Sequence, residues 1–254
     1  IVRGAVDDYH LRRNYQEMTA LLHSKNAELS ALNKNLEQRV VERTHDLIEA
    51  LVTALDRRGA EAVHSRKVAA FCVRLGRELA LPEAGLAVLE QGALIHDVGK
   101  IGIPDSILLK NGSLTPEEWA EMKRHPELGY SMLANIPFLE DARRLVLTHH
   151  ERFDGKGYPL GLSGEQLPLP ARILHLCEAY ESMTGGRSFR AARPTAEVRE
   201  EISRCAGTQF DPEVVSAFLR IPAPEWEEIG RAAAPPNPPE PSLTDLKASF
   251  PSSR

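Results

Sequence analysis

The chain has 254 residues, 42% hydrophobic and 26% charged, with a net charge of -5. That is enough for one large domain or a domain with extensions, and the acidic balance leaves no basic footprint for a nucleic-acid polymer. No apolar run approaches the ~18 residues of a membrane span, and no signal-peptide pattern opens the chain. A start at Ile1 rather than Met leads us to expect a fragment of a longer protein. The three cysteines, Cys72, Cys177 and Cys205, are odd in number and widely spaced. They fit a reducing, cytoplasmic setting and not a disulfide framework or zinc knuckle.

Residues 1–58 read as one long helix, because Pro is absent and Gly4 is the only Gly before Gly59. Leu22, Leu29, Leu32 and Leu36 follow a heptad seam, and Val40, Leu47, Leu51 and Leu55 continue it after a shift. The eleven-residue step from Leu36 to Leu47 locally relaxes a supercoil. Two readings stay open: a helix packed on its own domain, or, preferred, a parallel coiled-coil homodimer carrying a signal from an upstream domain. Leu32 to Thr44 resembles the helical linkers of bacterial signalling proteins, and residues 1–15 weakly resemble the end of a response-regulator receiver domain.

Residues 59–221 are expected to form an all-α core. Val63 to Leu79 is a helix ended by Leu81-Pro82; Leu86 to Val98 is a second. On a continued helix, His96 and Lys100 would share a face one turn apart. Thr115-Pro116-Glu117-Glu118 has the cap, proline and glutamate of a helix start, and that helix is expected to carry Trp119, Met122 and His125. Further helices are predicted over residues 142–150, 170–183, 196–205 and 212–219. Residues 222–254 hold eight of the 18 prolines. They are expected to be a disordered or polyproline-like tail, with room for a short docking helix near Leu243–Phe250.

Six of the nine histidines fall between residues 64 and 175, each close to acidic or Gly-rich neighbours. His64, His96-Asp97, His125, His149-His150 and a carboxylate in Cys177-Glu178-Ala179-Tyr180-Glu181 lie on separate predicted helices. Imidazoles and carboxylates converging from several helices are how bundle metal sites are built. Some have a plainer alternative: His64 as a satisfied core histidine, His125 before Pro126 as a helix cap. His175 is assigned no role.

The stretch His149-His150-Glu151-Arg152-Phe153-Asp154-Gly155-Lys156-Gly157-Tyr158-Pro159 resembles the signature of the HD-GYP proteins, a branch of the HD phosphohydrolases. Gly161-Leu162, Gly164 and Pro168 to Ile173 match the family stretch immediately downstream, and His96-Asp97-Val98-Gly99-Lys100-Ile101-Gly102-Ile103-Pro104-Asp105 matches upstream. The likeness spans about residues 59–220. It implies an HD-type helical bundle acting as a cyclic di-GMP phosphodiesterase on two divalent metal ions, iron or manganese. By resemblance, His64, His96, Asp97 and Glu178 would hold one ion. Asp97 would bridge to another held by His125, His149 and His150. Lys100 would sit by the scissile phosphate as a catalytic group, Arg187 and Arg190 would contact substrate phosphates, and Gly157, Tyr158 and Pro159 would shape the substrate mouth or dock a GGDEF-domain partner. The product would be linear pGpG, with GMP after a second cut.

Two departures from the family pattern stand out. Family members usually carry Asp at the Glu178 position, and often again at the Glu181 position; Glu is one methylene longer. Some members place a Glu one turn before the first His, for a third metal; here Ala60 occupies that place and Glu61 is out of phase, so two ions are expected. The longer carboxylate keeps an alternative open: a weakly active or inactive domain that senses cyclic di-GMP or binds a partner. A related phosphohydrolase acting on another nucleotide is a third, weaker reading.

Overall fold

The structure is a computed structural model and describes residues 2–59, 62–185 and 192–233. The expectations for Ala60, Glu61, Arg187, Arg190 and the sequence from residue 234 onward lie outside the described residues. The chain divides into two units, Ile1–Glu49 and Ala50–Arg254.

Helix α1 spans Val2–Gly59. Within the first unit Tyr15, Met18, Leu22, Leu29, Leu32, Leu36 and Val40 are exposed. The exposed faces also carry local pairs, Arg13 with Glu17 at 2.9 Å and Gln38 with Glu42 at 3.2 Å, of the i,i+4 kind that supports a solvated helix.

The second unit is all helical, and among the described residues it has only isolated β-bridges, Asp154 with Ser163 and Ala206 with Phe210. Helices α2 (Ala62–Glu78) and α3 (Glu83–Ile95) form an antiparallel pair closed by a turn in which Ala80 takes a φ of 55°. The short α4 (Asp105–Leu108) leads to α5 (Pro116–Met122), whose start is the capping box read from the sequence: the Thr115 side chain accepts from Glu118 N, and Thr115 N donates to the Glu118 carboxylate at 2.7 Å. Helix α6 (His125–Met132) packs on a 3-10 turn at Val98–Gly102 and on α7 (Glu140–Thr148). Helix α8 (Leu169–Thr184) lies against α2, with α9 (Thr195–Arg204) and α10 (Pro212–Arg220) beside it.

Three local expectations need correction. The chain does not stay helical through His96 to Lys100: α3 ends at Ile95 and a 3-10 turn succeeds it, so Lys100 reaches Asp97, three residues back. His125 is not carried by the helix of Trp119; that helix stops at Met122, and His125 opens α6 with Pro126 in its first turn, where a missing N–H costs nothing. The tail from residue 222 is ordered at its start. Helix α11 (Ala223–Ala232) packs on α2, and Trp226 is completely buried. Pro222 and Pro224 sit where a helix begins and do not break it, while Trp226 stacks into an aromatic cluster with Phe71, Tyr180 and Phe218 at ring distances of 4.9–5.5 Å.

Candidate metal centre

Asp97 is buried where α3 gives way to the 3-10 turn. Its Oδ2 lies 3.2 Å from His96 Nε2 and accepts a hydrogen bond from Lys100 Nζ at 2.8 Å. Its Oδ1 lies 3.3 Å from His125 Nε2 and 3.9 Å from His149 Nε2. One carboxylate thus faces two groups of ligands: His64, His96 and Asp97 on one side, and His125, His149 and His150 on the other. Within each group the ligand atoms lie within 4.8 Å of one another.

Backbone geometry aims three of the rings. Nδ1 of His96 donates to Ala93 O at 2.7 Å, Nδ1 of His125 to Met122 O at 2.8 Å, and Nδ1 of His149 to Val146 O at 2.7 Å. Each carbonyl is three residues upstream, at the end of the helical turn the histidine leaves. Committing Nδ1 as donor turns the Nε2 lone pair inward, as a metal-ligating imidazole requires. Gly99 lets the two groups meet: a Cβ there would lie 1.9 Å from His125 O and 2.5 Å from Gly129 N, so the HD turn presses backbone to backbone on α6.

The electrostatics arise from burial and from Asp97. Burial holds His125 below the usual histidine range and His149 and His150 well below it, which keeps those rings neutral. Burial also opposes charge on His96, but Asp97 outweighs it and raises the ring to about 9, so an ion taken up at Nε2 would displace a proton there. For Asp97 itself, burial is overcome by Lys100 and His96, which keep it well below the carboxylate range.

The residues fit a divalent-metal centre. His96 Nε2 and Asp97 Oδ1 are buried side-chain atoms without a hydrogen-bond partner, the 3.2 Å contact of His96 being misaligned for one. His125 Nε2 and His149 Nε2 stand 3.1 Å apart although both rings already use Nδ1 as donor. Two imidazole lone pairs at that distance repel unless a cation lies against both.

The acidic side of the first group involves two carboxylates of α8, Glu178 and Glu181. Glu178 is half-buried, its side chain 17% exposed, and desolvation raises it above the usual carboxylate range. Its ion-pair contact is His150 of the other group, 4.0 Å from Nδ1, and its ligand atoms are not gathered with those of His64 and His96. The carboxylate that meets His64 is Glu181, through Nδ1. Sequence reasoning chose Glu178 over Glu181 as the candidate ligand of this stretch, although their three-residue spacing puts both on one face of α8.

Gly157, Tyr158 and Pro159 fold directly over the second group. Tyr158 N donates to His150 O at 3.3 Å, and the Tyr158 ring stacks on His150 at 4.8 Å with Lys123 Nζ 5.3 Å above it. A Cβ at Gly157 would lie 2.6 Å from His150 O, so only glycine lets the loop return this closely. Glu151, buried, anchors the loop by accepting from Leu160 N at 2.6 Å and from Gly161 N and Leu162 N at 3.1 Å. His175 supports the same segment, its Nδ1 donating to His149 O at 2.8 Å.

Comparison with known proteins decides the family: the HD domain profile matches residues 23–214, well over half of the chain. The chain belongs to the HD-domain family. Over 219 residues this HD domain is 35% identical to a cyclic di-GMP phosphodiesterase of Thermotoga maritima, covering 84% of this chain and 58% of the relative. Over 211 residues it is 32% identical to 3'3'-cGAMP-specific phosphodiesterase 2 of Vibrio cholerae, covering 82% of this chain and 40% of the relative. The chain therefore spans about half the length of these relatives. A crystal structure of a cyclic GMP-AMP specific phosphodiesterase of Vibrio cholerae, V-cGAP3, shares the fold with a TM-score of 0.55 at 20% identity, over 75% of this chain and 53% of that one. The HD fold accounts for the all-helical architecture and for the His-Asp pair at the end of α3. No helix among the described residues is long and apolar enough to cross a membrane.

Proposed function

We propose that this HD domain hydrolyses the cyclic dinucleotide cyclic di-GMP to linear pGpG, with GMP as a slower second product, using two divalent ions, iron or manganese. The observation that carries the reading is the placement of Asp97, one oxygen toward each histidine group, with Lys100 on the same carboxylate. His64, His96 and Asp97 would hold one ion, and Asp97, His125, His149 and His150 the other. When bound, such a pair supplies a water of lowered pKa and Lewis acidity at the phosphoryl oxygens.

The chain's own groups do the rest. Asp97 holds the two ligand groups at a fixed separation. Lys100, mostly buried and already hydrogen-bonded to Asp97, presents a cation that stabilises charge developing on a non-bridging phosphate oxygen. The backbone carbonyls of Ala93, Met122 and Val146 keep three imidazoles in the ligating tautomer. Tyr158 covers the outer face of His150 and narrows the mouth. Arg187 and Arg190 contribute the phosphate contacts that the family resemblance implies.

Around the domain, α1 serves as a parallel coiled-coil homodimer that relays an upstream signal, and the loop of Gly157 to Pro159 is a docking point for a GGDEF-domain protein. The setting is cytoplasmic. The exposed seam of α1 supports the coiled coil, and the free cysteines Cys72, Cys177 and Cys205 support a reducing setting.

The deciding experiment incubates Mn(II)- or Fe(II)-loaded protein with cyclic di-GMP and, in parallel, 3'3'-cGAMP, and resolves products by chromatography. Asp97-dependent formation of pGpG, faster than turnover of cGAMP, supports the proposal. The position of Glu178, outside the His64 group, favours one competing reading, a sensor of cyclic di-GMP with little catalysis. Nucleotide binding without turnover would establish that reading instead.

A further inference from the structure

His64 differs from the other inward-facing histidines in how its ring is held. His96, His125 and His149 each give Nδ1 to a carbonyl three residues upstream. His64 lies near the start of α2, and its Nδ1 contacts the Glu181 carboxylate, 117 residues further on. Both side chains are nearly buried, with 11% and 9% of their surface exposed. The other oxygen of Glu181 lies 3.8 Å from Lys67 Nζ, one turn along α2 from His64. Glu181 is therefore gripped between two side chains of one helix while it rides on another.

We infer that Glu181 is the positioning residue of the first ligand group: it accepts the Nδ1 proton of His64, fixes Nε2 as the ligating atom, and is itself oriented by Lys67. The inference rests on the reading that His64 belongs to a metal centre. The physical reason is the same as for the backbone-held rings. An imidazole whose outer nitrogen has a committed acceptor presents one tautomer and one orientation, and a carboxylate acceptor also makes the ligating nitrogen more basic. For His64 that acceptor is a side chain from α8 in place of a carbonyl of its own turn. The assignment also separates the two carboxylates of α8: Glu181 meets His64 directly, whereas Glu178 feels His96, Asp97 and His64 only as nearby charges.

The test uses the full chain with Mn(II) as the probe, in Glu181→Leu and Glu181→Gln variants beside wild type and His64→Ala. Calorimetric titration reads the affinity of each metal site. Long-range proton–nitrogen correlation spectra of metal-free, nitrogen-15 histidine-labelled protein read the tautomer of His64. Expected in Glu181→Leu is a fall of about 10–100-fold in affinity at one of two sites, the typical effect of removing such a partner. The other site should be unchanged, and His64 should become a mixture of tautomers. Glu181→Gln, which keeps an acceptor oxygen and nearly the same shape, should retain the tautomer and show an intermediate affinity. Unchanged Mn(II) affinity and unchanged His64 spectra in both variants would overturn the inference. So would an equal loss at both sites with the tautomer intact, the mark of general destabilisation. If His64→Ala binds Mn(II) as wild type does, the metal reading of the first group is wrong and the inference falls with it. Failure of Glu181 alone, with His64→Ala losing a site, leaves that reading standing.

Discussion

The two ligand groups around Asp97 are built in different ways. The second group takes its order from nearby backbone. His125 and His149 are locked by backbone carbonyls three residues upstream, and the loop after His150 closes over them through Glu151. The first group is mixed: His96 is locked by Ala93 O, but His64 on α2 is oriented by a distant side chain, Glu181 on α8. Local backbone locks form with the helices themselves, whereas a lock between two helices forms only when they pack. The second group should therefore tolerate loss of any one neighbour better than the first, and Asp97 is the carboxylate both share.

Breaking the shared element has the largest expected effect. Asp97→Asn keeps the side-chain size but removes the charge. Metal content should fall from about two ions per chain to about one or fewer, and hydrolysis should become undetectable; elemental analysis of purified protein beside the cyclic di-GMP assay checks both. Lys100→Met separates chemistry from metal binding. We expect a fall on the order of 10²–10³-fold in kcat with metal content unchanged, as for removal of one preorganised charge partner; steady-state kinetics on metal-loaded protein reads it.

Gly99→Ala attacks the joint between the groups without touching a ligand. With a Cβ 1.9 Å from His125 O, the HD turn and α6 must separate. A loss of about 3 kcal/mol or more is expected, at or beyond the usual cost of overpacking, together with weaker Mn(II) binding at the second group; urea denaturation with and without metal distinguishes the two. The smallest effect belongs to Thr115→Ala. It removes a cap from α5, the helix that ends at Met122 and so places the carbonyl that holds His125. A loss of about 1 kcal/mol is expected, visible in denaturation and absent from metal stoichiometry, because the lock on His125 is local.

The same division governed what the sequence revealed. Motifs that are short and contiguous were legible: the Thr115 capping box forms, and the His-Asp and His149-His150 pairs lie in two clusters of potential metal ligands. Helix periodicity located most elements of the domain to within a few residues. What failed needed three-dimensional context. Continued helix through Lys100 was a period argument, and the turn after Ile95 overrode it, since packing of Gly99 on α6 requires a tighter path. Trp226 was lost in a proline-rich composition, although the prolines there begin a helix and the indole has an aromatic slot waiting. Glu181 was passed over because nothing in its own neighbourhood announces a partner 117 residues away.

The most direct test of the binuclear centre is the metal stoichiometry of protein purified without oxygen, measured together with cyclic di-GMP hydrolysis in wild type and Asp97→Asn. About two ions per chain and pGpG formation are predicted in wild type, both lost together in the variant. Fewer than about one ion per chain in active wild-type protein, or hydrolysis that survives Asp97→Asn, would contradict a mechanism built on two ions bridged by Asp97.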